Sequence, residues 1–172
     1  MELPLDWAAV RSALRARAAA AGIAVRDARV QPLLARARAQ APQVAERLEA
    51  WLGDLEAAAA RRCRVNRALL AWLAARPDAP LAICTSSGRA CVGPALAAAG
   101  VAERVVAVVA REDVRAWKPD PEGLLALLAR TGVPAERAVF IGDRARDAAA
   151  GRAAGVPVLD VAAIGLDWRA AA

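Results

Sequence analysis

Ala138-Val139-Phe140-Ile141-Gly142-Asp143-Arg144-Ala145-Arg146-Asp147, together with Trp117-Lys118-Pro119-Asp120-Pro121 upstream of it, decides the fold. An apolar strand pattern runs into Gly-Asp, and helical spacing begins behind it, with Asp147 four residues after Asp143. One carboxylate therefore stands at the carboxyl end of a buried strand, and a second at the start of the next helix. Ligands of open α/β sheets bind at that end of the strands. Lys118 is the only lysine among 24 basic residues. Every other positive charge is arginine, so a merely solvated cation would be expected to be arginine too. A lone lysine marks a position that needs a compact ammonium with rotatable donors, not a planar fork. Two hard oxygen ligands and one cation near a loop suit Mg²⁺ and a phosphate. Each residue alone has a plainer reading: Asp143 as a helix cap, Asp147 as a first-turn acid, Lys118 as a turn residue. Their order behind a strand pattern carries the ligand-site reading.

Outward from that stretch, strand and helix patterns alternate. Leu81-Ala82-Ile83-Cys84 is a short apolar run between turn signals, as expected for a strand buried on both faces. Thr85-Ser86-Ser87-Gly88 follow, then a helical pattern to Gly100, interrupted at Pro94. Val105–Val109 reads as a second strand, Ala138–Ile141 as a third and Val158–Val161 as a fourth. Between them lie a helix opened by Asp120 and Pro121 and stopped by Gly132, and another over Ala145–Ala154. This alternation predicts a parallel α/β sheet. Thr85 and Ser86 place hydroxyls at a strand's carboxyl end, where turn amides could join them around phosphate oxygens. Hydroxyl residues fill many turns, so this signal is weak alone.

Residues 1–75 read as helical. Asp6 caps a helix with Trp7, Val10 and Leu14 on one face, and Gly22 ends it. Pro32 and Pro42 punctuate two further helical segments. Val44, Leu48, Trp51, Leu52 and Leu55 form one apolar stripe, and Leu69, Leu70, Trp72 and Leu73 another, both read as packing faces. The division is a helical part over 1–76 and an α/β core over 77–172.

Composition narrows the function classes. A chain of 172 residues makes one domain with a small appended part. No uncharged apolar run reaches the roughly 18 residues of a membrane span, and no signal-peptide pattern is visible, so a cytoplasmic protein is expected. The net charge of +6 comes from dispersed arginines, with one cluster at Arg61, Arg62, Arg64 and Arg67. With no Tyr and one Phe there is little to stack bases on, so a solvated helix face is expected, not nucleic-acid binding. Cys63, Cys84 and Cys91 form no Cys-x-x-Cys pair, and Cys84 reads as a core residue. Histidine is absent, which removes Ser-His and Cys-His catalysis and most zinc sites.

Strand then Thr85, Lys118-Pro119, and strand then Gly142-Asp143 with Asp147 together resemble the haloacid dehalogenase (HAD) superfamily, in its phosphoglycolate phosphatase-like branch with a helical cap. The resemblance implies a doubly wound parallel sheet, a Rossmann-like core, beneath an α-helical cap. It implies Mg²⁺-dependent hydrolysis of a small phosphorylated metabolite through an aspartyl-phosphate. By motif position, Thr85 and Ser86 would bind phosphate, Lys118 would stabilise the phosphoryl charge, and Asp143 and Asp147 would hold Mg²⁺. Ser86 stands where the family often has Asn.

The family's opening Asp-x-Asp strand, which carries its nucleophile and lies centrally between the strands ending at Thr85 and Asp143, has no match here. Asp6 fails, because Pro4 breaks its short apolar run and Ala8 stands two positions on. Either the flanking strands close up and pair, or the natural chain begins upstream of Met1. A late-called start is the expectation, with the 172-residue chain alone inactive. The alternatives are a catalytically inactive phosphate- or partner-binding relative and, more weakly, a basic nucleic-acid-binding module.

Overall fold

The computed structural model describes residues 2–166 except Arg26 and Ala28. Caps and apolar spacing account for the helical half. Asp6 accepts the amides of Ala8 and Ala9 at 2.9 and 3.1 Å and starts α1 (Trp7–Ala20). In α2 (Val30–Gln40) and α3 (Pro42–Ala60) the prolines fall in the first turn, where no intrahelical amide bond is lost. Val10 and Leu14 of α1, Leu33 and Leu34 of α2, and Leu48 and Leu52 of α3 bury one continuous cluster. Each such side chain contributes about 1.5–3 kcal/mol when fully withdrawn from water.

Helix α4 (Arg67–Ala74) is capped by Asn66, which accepts the Leu69 amide at 3.0 Å. Its apolar stripe, Leu69, Leu70, Trp72 and Leu73, is the half-buried side of the helix, although no residue of α4 is fully buried. The helix is only eight residues long and is tied down at its far end. There Arg104 donates to the carbonyls of Leu73, Arg76 and Ala79, and Trp72 stacks on Arg76 at 3.8 Å.

The second half alternates as the periodicity predicts: β1 (Leu81–Cys84), α5 (Arg89–Ala99), β2 (Val105–Val109), α6 (Glu122–Thr131), β3 (Phe140–Gly142), α7 (Ala145–Ala153) and β4 (Val158–Asp160). Some details differ from the predicted ranges. Helix α5 continues through Pro94 without breaking. Helix α6 starts at Glu122, because Asp120 takes the Glu122 amide at 2.9 Å and holds the residues before it in a turn. Strand β3 starts at Phe140, since a 3₁₀ turn over Ala135–Arg137 occupies the residues ahead of it.

The larger departure concerns the sheet. β1 pairs in parallel with β2, and β3 in parallel with β4, as two separate two-stranded sheets among the described residues. The flanking strands β1 and β3 do not close up and pair. They are joined by packing: Leu124, Ala150, Ala154 and Val156 form a cluster against both Cys84 of β1 and Phe140 of β3. The side chain of Lys118 reaches both strands, donating to Cys84 O at the carboxyl end of β1 and lying 5.3 Å from the Phe140 ring of β3.

Candidate functional site

The loop after β2 brings Lys118 to the carboxyl end of β1. Trp117 anchors that loop, its indole N–H donating to Arg111 O at 3.1 Å while Arg38 of α2 stacks on its ring at 4.5 Å. Arg38 also donates to the carbonyls of Arg111 and Val114, so the helical half grips both ends of the segment leading to Lys118. Glu122 fixes the next turn by accepting the amides of Arg115 and Ala116, and those bonds hold its carboxyl below the usual range.

Lys118 Nζ donates to Cys84 O at 3.1 Å, lies 2.8 Å from Asp147 Oδ1, and sits 5.3 Å from the Phe140 ring centroid. Its side chain is 12% exposed, so this cation is held and is not a solvated one. One ammonium thus joins β1, β3 and α7. Guanidinium has no point charge to place at that junction. Beside it, burial pushes the Cys84 thiol up, against the pull of Lys118, which leaves the thiol protonated and inert.

Gly142 explains the Gly-Asp pair. A Cβ added there would stand 2.5 Å from Asp147 Cβ, so only glycine lets α7 approach β3 this closely. Asp147 is buried, while Asp143 is exposed at the loop with Arg144 at 3.8 Å. The helix cap is Arg144, whose side chain makes no cap bond.

At the end of β1, Thr85 N–H donates to Val109 O at 2.9 Å and extends the ladder by one residue. Thr85 Oγ1 then accepts the Ser87 amide at 3.1 Å, turning the chain into α5. Thr85, Ser86, Trp117 and Lys118 line one shallow cleft with Cys84 as its floor. Sequence reasoning therefore finds residues that the fold gathers in two adjoining groups: Thr85, Ser86 and Lys118 in the cleft, and Asp147 on the other side of the Lys118 ammonium. Asp143 is on the same β3–α7 loop but does not line the cleft.

A divalent cation fits the donors present. Asp147 Oδ1 is buried and accepts no aligned hydrogen bond despite its ion pair with Lys118, so a hard oxygen lone pair remains available. Mg²⁺ commonly takes only one or two carboxylates and completes its shell with water and phosphate. Among the described residues no group of three or more acids or cysteines gathers into a full cage.

Two further residues escape sequence reasoning. Glu56 of α3 and Arg111 after β2 are 2% and 1% exposed and form a buried ion pair at 3.0 Å. Burial pushes the Glu56 carboxyl up, with Arg111 pulling against it. Glu56 had a signal, since it continues the spacing of Leu48 and Leu52 on the apolar face of α3. Arg111 had none among so many arginines.

The haloacid dehalogenase-like hydrolase family model matches residues 9–155. The chain is 40% identical over 92 residues to the phosphoglycolate phosphatase of Rhodospirillum rubrum, and 41% identical over 78 residues to the plasmid phosphoglycolate phosphatase of Cupriavidus necator. These matches cover 54% and 45% of this chain, and the chain spans 38% and 34% of the two curated relatives. Among solved structures, CbbY from Rhodobacter sphaeroides in complex with phosphate aligns with a TM-score of 0.63 at 22% identity, over 91% of this chain and 80% of that one. A HAD-superfamily hydrolase from Geobacter sulfurreducens aligns at 0.55 and 22% identity, over 88% and 80%. The fold is therefore the HAD-like α/β core with a helical cap, and the chain belongs to the haloacid dehalogenase-like hydrolase family.

Proposed function

We propose that this chain is part of a Mg²⁺-dependent phosphomonoester hydrolase acting on a small phosphorylated metabolite in the cytoplasm. The observation that carries the reading is the Lys118 ammonium, held between the carboxyl end of β1 and Asp147. Phosphoryl transfer needs positioning and charge neutralisation more than covalent help from the protein. Thr85 and Ser86 supply hydroxyl donors to phosphoryl oxygens, and Lys118 neutralises the charge developing on them. Asp143 and Asp147 would hold Mg²⁺, which when bound adds further neutralisation and orients the phosphoryl group. The helical part over 1–76 serves as the cap above the core over 77–172, and it screens the site from water.

The nucleophile that this chemistry requires is not among the 172 residues; in this reading an upstream aspartate supplies it. Its carboxylate attacks phosphorus, the P–O bond to the alcohol breaks, and the alkoxide departs as the alcohol with a proton from the second, protonated aspartate of the Asp-x-Asp motif. Water then cleaves the acyl phosphate. The relatives' name makes phosphoglycolate the first substrate to try. The test is turnover of an aryl phosphate and of phosphoglycolate by the chain alone and by the chain prefixed with an Asp-x-Asp strand. The extended chain is expected to turn over only with Mg²⁺, and the chain alone not at all. An extended chain that binds Mg²⁺ and phosphate without turning over would refute the enzyme reading.

One observation favours a second reading, a phosphate- or partner-binding protein without turnover. Asp6, the acid nearest the expected first motif, is committed as the cap of α1.

A further inference from the structure

We infer that the buried Glu56–Arg111 pair positions the Thr85–Gly88 turn for its phosphate, so that the helical half sets the affinity of a loop it does not belong to. The inference rests on the proposed phosphate role of that turn. Glu56 Oε2 accepts the Gly88 amide at 2.8 Å, and Glu56 Oε1 accepts Arg111 Nη1 at 3.1 Å. The Arg111 amide in turn donates to Ser87 O at 3.1 Å. One carboxylate from α3 and the Arg111 amide after β2 therefore hold both polar ends of one peptide group of the turn, the one that joins Ser87 to Gly88.

The fit is close. A Cβ at Gly88 would stand 2.7 Å from Arg111 Nη2 and 3.1 Å from Glu56 Oε2, so only glycine lets the turn sit this near the pair. The neighbouring amides are also committed: Thr85 to Val109 O, Ser87 to Thr85 Oγ1, and Arg89 to Glu112 Oε2. Among the described residues the Ser86 amide alone in this turn has no protein partner. It lies beside the Thr85 and Ser86 hydroxyls in the cleft shared with Lys118. The network thus occupies the neighbouring backbone amides and leaves the Ser86 amide without a protein partner in a residue that lines the cleft.

Arg111 also explains why the arrangement is a device for holding shape and not merely an ion pair. Its Nε and Nη2 are buried without hydrogen-bond partners, and the nearest further acid, Glu112, is 3.7 Å away. A buried pair of this kind is seldom retained for stability, because apolar residues of similar volume commonly serve as well.

The test uses the full chain, inorganic phosphate with Mg²⁺ as probe, and calorimetric titration below the melting range. Glu56→Met with Arg111→Met removes both charges together, so no lone buried charge is left to unfold the protein. Its melting midpoint should stay near that of the parent chain while phosphate affinity falls about tenfold, the loss of one hydrogen bond to a charged ligand. Glu56→Gln keeps an oxygen for the Gly88 amide but leaves Arg111 without its counter-ion, so it should lower the melting midpoint while binding phosphate within about threefold of the parent. In the double variant a purely structural role would lower the midpoint and leave affinity unchanged, and parent-like affinity there would overturn the inference. Should the double variant fail to fold, amide NMR of the parent chain decides. Phosphate should shift the Gly88 and Arg111 amides along with those near Lys118, and their indifference would overturn the inference. A parent chain that does not bind, or binds equally with Lys118→Ala, would refute the phosphate site itself. Binding lost with Lys118→Ala but kept in the double variant would refute only the positioning role.

Discussion

In the proposed reading a single ammonium turns an acidic loop into a phosphate site. Lys118 meets Cys84 O, Asp147 and the face of Phe140 with most of its side chain withdrawn from solvent. Lys118→Arg keeps the charge but brings a planar fork that the pocket does not admit, so phosphate affinity should fall about tenfold in a calorimetric titration. Its lone occurrence in the sequence is what made it legible; its partners across β1 and α7 were not, because they depend on tertiary approach. Asp113 gives a second residue-level expectation. Its carboxyl lies below the ordinary value of 3.8, held first by the Arg89 side chain and also by the Ala110 amide. A lowered acid adds stability that is fully present above the unfolded-state value and is lost as pH falls through the folded one. Asp113→Asn should therefore destabilise by about 0.5–1.5 kcal/mol at neutral pH in urea melts. The gap from the parent should close as pH drops below 3.8.

At the scale of elements, the β3–α7 turn depends on how close a helix can come to a strand. Gly142→Ala would push its Cβ into Asp147 and drive α7 outward. Thermal melts should show a loss of about 1–3 kcal/mol, the usual cost of overpacking. Mg²⁺-dependent phosphate binding should weaken with it, since both candidate carboxylates ride on this turn. Periodicity found all seven helices and four strands described here, because caps such as Asp6 and stops such as Gly132 are local signals. It failed where local signals compete with packing. Pro94 looks like a break, yet α5 runs through it, buried on one side by Cys91, Val92, Ala95 and Leu96.

At the scale of the molecule, two short parallel sheets flank one lysine with no ladder between β1 and β3 among the described residues. Alternation in the sequence predicts parallel pairing but carries no information on which pairs form, so the split was not legible from periodicity. Amides of β3 should exchange with solvent well before those in the middle of α3, whose Leu52 is fully buried, when exchange is followed by mass spectrometry. Equal protection would mean that β3 is held on both edges. The central claim is that Thr85, Ser86, Lys118, Asp143 and Asp147 form one Mg²⁺-assisted phosphate site, and a titration of the chain with inorganic phosphate, with and without Mg²⁺, tests it most directly. The account predicts saturable binding that strengthens with Mg²⁺, weakens with Asp147→Asn and disappears with Lys118→Ala. Binding that ignores Mg²⁺ and survives both substitutions would contradict it.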